Sequence, residues 1–243
     1  NNFQRTIFDG INLSGKDLTE SSLWDASFKN TNLKNVNLSF ADLRAVDFTK
    51  IKNKSLAGTD LSYASFFLSD LSGINLSDVT LKTTSFWKAD LSGVDFTVTT
   101  NTPYQGTIFR QADLSNSNFE GVTLSPVEVF DGHTENDVQL KQAFDNGDLS
   151  SMDFVFSLFG TGYTKDMGYL GYPNIHVVST EVRENDIIVN FVFFNNFSGA
   201  NLENANFKNA DLWFVDFYSA NLTNANLSGA DLRKALLVNA DLS

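Results

Sequence analysis

Leu or Phe returns every five residues along most of this chain, and no regular secondary structure can hold such a series on one side. The first run goes from Phe3 through Phe8, Leu13, Leu18, Leu23, Phe28, Leu33, Leu38 and Leu43 to Phe48. After a three-residue slip the second runs from Leu56 through Leu61, Phe66, Leu71, Leu76, Leu81, Phe86 and Leu91 to Phe96. A second slip leads to Phe109, Leu114, Phe119 and Leu124, and a last block holds Phe197, Leu202, Phe207, Leu212, Phe217, Leu222, Leu227, Leu232, Leu237 and Leu242, thirty-three repeats in all. A five-residue step rotates a helix by about 140° and sends alternate strand residues to opposite faces, so neither element keeps these side chains inside. The backbone must turn once per repeat. Two positions before most of them stands a small residue, such as Ala26, Ala41, Ala64, Ala89, Ala112, Ala200 or Ala220. A tight interior needs this, because a second large side chain per repeat would overfill it.

Between the small residue and the Leu or Phe there is often Asp or Asn, as in Ala210-Asp211-Leu212 and Ala230-Asp231-Leu232. This pattern resembles the pentapeptide-repeat family, over about two thirds of the chain. The resemblance implies an all-β solenoid, a right-handed quadrilateral β-helix in which four repeats make one square coil. The Leu or Phe would point to the axis, and successive coils would stack as short parallel β-bridges. Phe8, Phe28 and Phe48 lie twenty residues apart, as do Phe66 and Phe86, and Phe197 and Phe217. That spacing predicts aromatic stacking down one interior edge. Leu202, Leu212 and Leu232 are expected in the same core. About eight coils at about 4.8 Å each make a rod roughly 40 Å long.

The pattern breaks from Ser125 to Asn196, which divides the chain into an N-terminal repeat part (1–124), an insert (125–196) and a C-terminal repeat part (197–243). Lys and Arg number 11, 3 and 3 in these parts against 13, 11 and 5 Asp and Glu, so the net charges are −2, −8 and −2. Within the insert, Thr134 caps an expected helix from Glu135 to Asn146 with Gly147 at its stop. Phe159 to Pro173 is a loop rich in Gly and Tyr, and Asn174–Val182, Arg183–Asp186 and Ile187–Phe194 read as a β-hairpin. A small α+β subdomain leaning on the rod is expected.

Composition closes off several kinds of chemistry. The chain has no cysteine, so disulfides, thiolate zinc sites and cysteine nucleophiles are excluded and the redox compartment is undecided. A net charge of −12 disfavours direct nucleic-acid binding. No apolar run approaches the roughly 20 residues that span a bilayer, so a soluble protein without a membrane span is expected, cytoplasmic or exported. The first residue is Asn1, not Met, which leaves room for a preceding segment or a longer chain. Both ends fall inside the repeat pattern, and end-to-end self-association through the terminal coils is expected.

Asp131, His133, Glu135 and Asp137 cluster near the start of the insert and are the one candidate metal set. Acidic residues also gather at helix starts because the helix dipole favours them there, and that reading is the stronger. His133 and His176 are the only histidines. No motif pairs either with a nucleophilic Ser or Thr, so no catalytic residues are assigned. Gly160-Thr161-Gly162 before Thr164-Lys165 fits neither the P-loop nor the dinucleotide fingerprint, and no cofactor is expected. Asp42, Asp47, Asp90 and Asp95 recur as a repeat position instead of converging on a site. Seven glycosylation sequons, at Asn12, Asn37, Asn53, Asn75, Asn196, Asn221 and Asn226, arise mostly from the repeat itself.

The sequence therefore points to a non-enzymatic scaffold or protein–protein interaction module, with the insert as the specificity element. The alternative comes from the resemblance: some family members mimic B-form DNA, bind gyrase, a type II topoisomerase, and protect it from quinolones. Such members are expected to show a strongly acidic rod face and a C-terminal dimerisation helix. Here the rod parts are −2 each and the sequence ends on Leu242-Ser243.

Overall fold

The computed structural model describes residues 1–99, 106–124, 130–133, 174–182 and 187–243, with the strands of the insert as backbone. In the repeat parts the residue just before each Leu or Phe forms a parallel bridge to the residue twenty further on: Asn2 to Ser22, Ile7 to Ser27, Asn12 to Asn32 and Asp17 to Asn37. Four such columns make a four-sided coil. We number the faces in chain order, the first starting at Asn2, the second at Ile7, the third at Asn12 and the fourth at Asp17.

Each corner is a β-turn. The Phe3 carbonyl accepts from the Thr6 N–H at 3.1 Å, Phe8 from Ile11 at 3.1 Å and Leu13 from Lys16 at 2.9 Å. The residue before the closing N–H is left-handed, as at Arg5 (φ 56°), Asn30 (φ 57°), Asn116 (φ 58°) and Asn204 (φ 57°). Asn and Gly tolerate this conformation best, which explains their frequency there. At Gly58 a Cβ would also collide with Oδ1 of Asn35 in the coil below.

Two slips of three residues and one long insertion lengthen the bridge interval without breaking the columns. Asp47 bridges Asp70 across the first slip and Asp90 bridges Asp113 across the second, while Asp113 bridges Asn201 across the insert. The first slip is a bulge made of two 3-10 turns, Phe48–Lys50 and Lys52–Lys54, on the corner between the second and third faces. The coil thus runs on from Leu124 to Asn195 as if the insert were absent: Phe109 N–H donates to Asn196 at 2.7 Å and Phe119 N–H to Asn206 at 2.7 Å.

The interior is lined by Leu and Phe, with Phe28, Phe48, Phe66, Phe86, Phe96, Phe109, Phe119, Phe197, Phe207 and Phe217 fully enclosed. Full burial of each such side chain stabilises by about 1.5–3 kcal/mol. The aromatic stack occupies two edges where the spacing suggested one. Phe8, Phe28 and Phe48 stack behind the second face, and at Phe48–Phe66 (5.4 Å, tilted) the run passes to the first, continuing through Phe86, Phe109, Phe197 and Phe217. The reason is the count of repeats: Phe66 comes three repeats after Phe48 and not four, so Phe48 lies below Leu71 and Phe66 stands over Leu43. Behind the third face a further stack, Phe96–Phe119–Phe207, meets the first across the axis edge-on, with Phe109 and Phe119 at 6.1 Å and 86°. Parallel stacking along an edge and T-shaped contact across it both suit the ring quadrupoles. Some Thr and Ser at the small position bond to carbonyls inside, Thr84 Oγ1 donating to Leu61 at 2.8 Å and Ser69 Oγ to Leu43 at 2.7 Å, whereas the Ser21 and Ser117 hydroxyls are buried without a partner.

In the insert, β1 (Phe130–His133), β2 (Asn174–Val182) and β3 (Ile187–Phe194) form an antiparallel sheet in the order β1-β3-β2, with an irregularity between Val177 and Ser179. Residues 135–146, read above as a helix, lie outside the described residues. Among those described, no helix is long and apolar enough to cross a membrane.

Candidate interaction surface

The recurring Asp and Asn have a local task. The side chain before each core residue accepts from the backbone N–H two positions on: Asp70 from Ser72 at 2.9 Å, Asp90 from Ser92 at 2.9 Å, Asn201 from Glu203 at 3.3 Å and Asn221 from Thr223 at 3.1 Å. Either residue type serves, because only an acceptor is needed. Between coils the two types part. Asn201 Nδ2 donates to Asp113 at 3.1 Å and Asn221 Nδ2 to Asn201 at 3.0 Å, while on the third face Asn118, Asn206 and Asn226 donate in turn to Asp95, Asn118 and Asn206. Asp47, Asp70, Asp90 and Asp113 instead stack carboxylate over carboxylate up the second face.

On the two corners of the third face the left-handed position is mostly Asn or Gly, and on the corner between the first and second faces it is mixed, with Arg5, Asp25, Leu68 and Lys88. The corner between the fourth and first faces is where aromatics take it: Phe40 (φ 59°), Tyr63 (φ 60°) and Phe214 (φ 63°), beside Glu20 (φ 55°), Thr83 (φ 51°), Gly106 (φ 65°) and Lys234 (φ 59°). Bulky side chains are strained in this region by about 1–2 kcal/mol each. Phe40 and Tyr63 stack at 4.6 Å and 7°, and Lys234 Nζ lies 4.9 Å over Phe214 and 5.6 Å over Trp213. The insert leaves and rejoins the rod at this same corner. Asn195 clamps its neck, accepting from the Thr107 N–H at 3.0 Å and donating to the Leu124 carbonyl, with the whole side chain buried. The sequence signal for this edge was present at the fifth repeat position, where aromatic residues stand in place of Asn or Gly.

The four residues of the expected metal set fall partly within the described residues. Asp131 and His133 stand in strand β1, paired with Asn190 and Ile188 of β3, and not in a loop. Glu135 and Asp137 lie outside the described residues, among which no group of three or more His, Asp and Glu side chains is close enough to hold a metal. Of the repeat carboxylates, Asp42 is buried and held by Arg44 through two bonds of 2.7 Å. Asp47 and Asp95 are tied to Thr49 and Thr97.

Charge pairs bind coil to coil. Lys208 Nζ meets Glu120 at 2.8 Å, a contact that crosses the insertion point. The hydrogen bond from Lys208, helped by one from Asn206, holds the Glu120 carboxyl below its usual range, and Glu120 raises Lys208. Hydrogen bonds from Thr19 lower Asp17, and those from Arg233 lower Asp231.

A family model described as pentapeptide repeats matches residues 2–35, 11–49, 59–97, 104–125, 195–224 and 216–243. Among solved structures, the chain is similar to HetL, a pentapeptide repeat protein involved in heterocyst differentiation regulation from the cyanobacterium Nostoc sp. strain PCC 7120. The identity is 20%, with a TM-score of 0.30 over 98% of this chain and 88% of that one. It is also similar to QnrB1, a plasmid-mediated fluoroquinolone resistance protein, at 15% identity and a TM-score of 0.30 over 94% of this chain and 92% of that one. Rfr23, from the cyanobacterium Cyanothece 51142, is similar at 18% identity and a TM-score of 0.22, over 86% of this chain and 90% of that one. No curated protein matches the chain.

Proposed function

The chain belongs to the pentapeptide-repeat family, and from that premise we propose that it is a non-enzymatic interaction module whose coil winds right-handed. Its parts are a rod built from residues 1–124 and 197–243 and a small α+β insert, 125–196, that selects the partner, which is a protein. One observation carries this reading. The aromatic, strained corner of Phe40, Tyr63 and Phe214 lies on the edge where the insert leaves the rod. Strain of this kind persists only where the surroundings over-determine it, and it gathers at binding sites. The polar side chains of the faces are meanwhile engaged in capping and laddering the coils, which leaves no convergent acid–base pair there. The terminal coils expose Ile7, Leu236 and Leu242, and the chain produced alone is expected to associate through them.

The test is capture of partners from source-cell extract by the intact protein and by a form in which a short linker replaces 125–196, once circular dichroism shows both to be β-rich. Loss of a partner with the insert supports the assignment, and capture of the same set by both forms sinks it. The run Asp47, Asp70, Asp90 and Asp113 favours a second reading, a DNA-like face that binds a type II topoisomerase. Retention of a topoisomerase by the bare rod would promote it.

A further inference from the structure

Six of the fourteen described Lys and Arg side chains neither pair with a carboxylate nor lie over a ring: Lys16, Lys29, Lys34, Lys52, Lys54 and Arg110. Five of the six border one face. Lys29 stands on the corner between the second and third faces, Lys52 and Lys54 on the bulge above it, and Lys34 and Lys16 at the corner where the third face ends. All five are exposed, as is Lys50 on the same bulge, whose Nζ lies 3.7 Å from Asp47. The face between them bears only Asn12, Asn32 and Ser55. The nearest carboxylates are committed elsewhere, Asp9 to Ser27 Oγ (2.6 Å) and the Lys29 N–H (3.0 Å), and Asp47 to Thr49.

The bulge itself is strained. Asn53 (φ 58°) and Lys54 (φ 45°) are consecutive left-handed residues without a glycine, where the other described corners have at most one left-handed residue. Asn tolerates this region, but Lys54 carries a long side chain into it. It is a departure from the repeat that puts three lysines on a protein of net charge −12.

We propose that this lysine-bordered third face of the first three coils docks the acidic insert of a second copy of the chain. The charges are complementary, since residues 125–196 carry 11 Asp and Glu against 3 Lys and Arg, while the face carries six lysines and no carboxylate of its own. Lysine is a point charge on a flexible stem and meets carboxylates without the fixed bidentate geometry for which arginine is used. The neck of the insert lies three coils along the rod, at the corner between the fourth and first faces, so the contact is between unlike surfaces. A contact of unlike surfaces repeats head to tail and builds a ring or an open row. It is distinct from association through the ends of the coil.

Sedimentation velocity on the full chain tests it. Wild type is expected to associate at about 50 mM salt, with the association constant falling at least about tenfold by about 500 mM, as screening of exposed charges requires. Lys50→Glu/Lys52→Glu/Lys54→Glu and, separately, Asp145→Asn/Asp148→Asn/Asp153→Asn/Asp166→Asn should each lose this salt-sensitive association, leaving only the salt-resistant association through the coil ends. Mixed, they should regain one salt-sensitive contact per pair and no more, because one variant keeps the face and the other the insert. A wild type with no salt-sensitive association, or salt-sensitive association that survives both sets of substitutions, overturns the proposal. So does a mixture that regains no salt-sensitive contact while each variant keeps the wild-type circular dichroism spectrum. Lysine-dependent binding to vesicles containing phosphatidylserine or to duplex DNA, without self-association, would assign the face to a phosphate surface instead.

Discussion

The second face is written in two ways along one rod. From the third coil to the insert its column reads Asp47, Asp70, Asp90, Asp113; after the insert it continues with Asn201 and Asn221 before closing on Asp241. The six side chains from Asp47 to Asn221 perform the same capping bond within their own repeat. The bond to the next coil separates them: an amide can donate to the acceptor below, and a carboxylate cannot. The C-terminal coils are thus stitched by side chains on this face, whereas the middle coils place like charges there at the inter-strand spacing of about 4.8 Å and lack that stitch.

If the interior is common to both halves, breaking it must hurt both alike. Phe86 and Phe197 are each fully enclosed between stacked rings. Phe86→Ala and Phe197→Ala should each cost about 3–5 kcal/mol, read from the midpoint of urea unfolding. A loss confined to one half, with the other unfolding at its original midpoint, would mean that the insert divides the rod into two cooperative units.

The interior was the legible part of the sequence, and for a physical reason. Every fifth side chain must be Leu or Phe for any coil to close, so the period survives each change at the surface. The edge on which the rings stack was harder to see, because the three extra residues of the slip bring Phe66 eighteen residues after Phe48, near a full coil in sequence, although it is only three repeats on and stands over Leu43. The strained corner went unread for another reason: the fifth repeat position tolerates most residues, and only its left-handed φ makes Phe40, Tyr63 and Phe214 exceptional. Strand β1 had no alternating pattern to mark it, since Phe130-Asp131-Gly132-His133 contains one strong strand former.

A smaller effect should appear at the surface and differ between the halves. Asn201→Ala removes the cap on Glu203 together with the bonds to Asp113 and Asn221, and should cost about 1–2 kcal/mol. Asp90→Ala removes one cap and also one charge from the stacked column, so its cost should stay below about 1 kcal/mol. Equal costs would show that the coil-to-coil amide bonds contribute nothing.

Exchange of the two scripts is a finer measurement still. Asp90→Asn supplies a donor toward Asp70 and relieves repulsion on both sides, so it should stabilise by roughly 0.5 kcal/mol. Asn201→Asp withdraws the donor to Asp113 and extends the carboxylate stack by one, and should destabilise by a similar amount. Both effects should shrink as salt rises to about 1 M, because screening weakens the repulsion that one substitution relieves and the other adds, while the gained or lost amide donor persists. An Asp90→Asn protein less stable than wild type would indicate that the carboxylate column is held by contacts beyond its caps.

The smallest predicted effect crosses the boundary between the halves. Glu120, in the last coil before the insert, is paired with Lys208, in the first coil after it, and that bond lowers the Glu120 pKa. A group whose folded pKa is depressed adds stability above its unfolded pKa and loses it as pH falls through the folded value. For Glu120 the window lies below the ordinary glutamate value of 4.5. Both side chains are exposed, so screening keeps the effect small. Glu120→Gln should therefore flatten the fall of the thermal midpoint on acidification within that window and change little at neutral pH. A variant whose acid response equals that of wild type would show that the pair carries no charge coupling between the coils on either side of the insert.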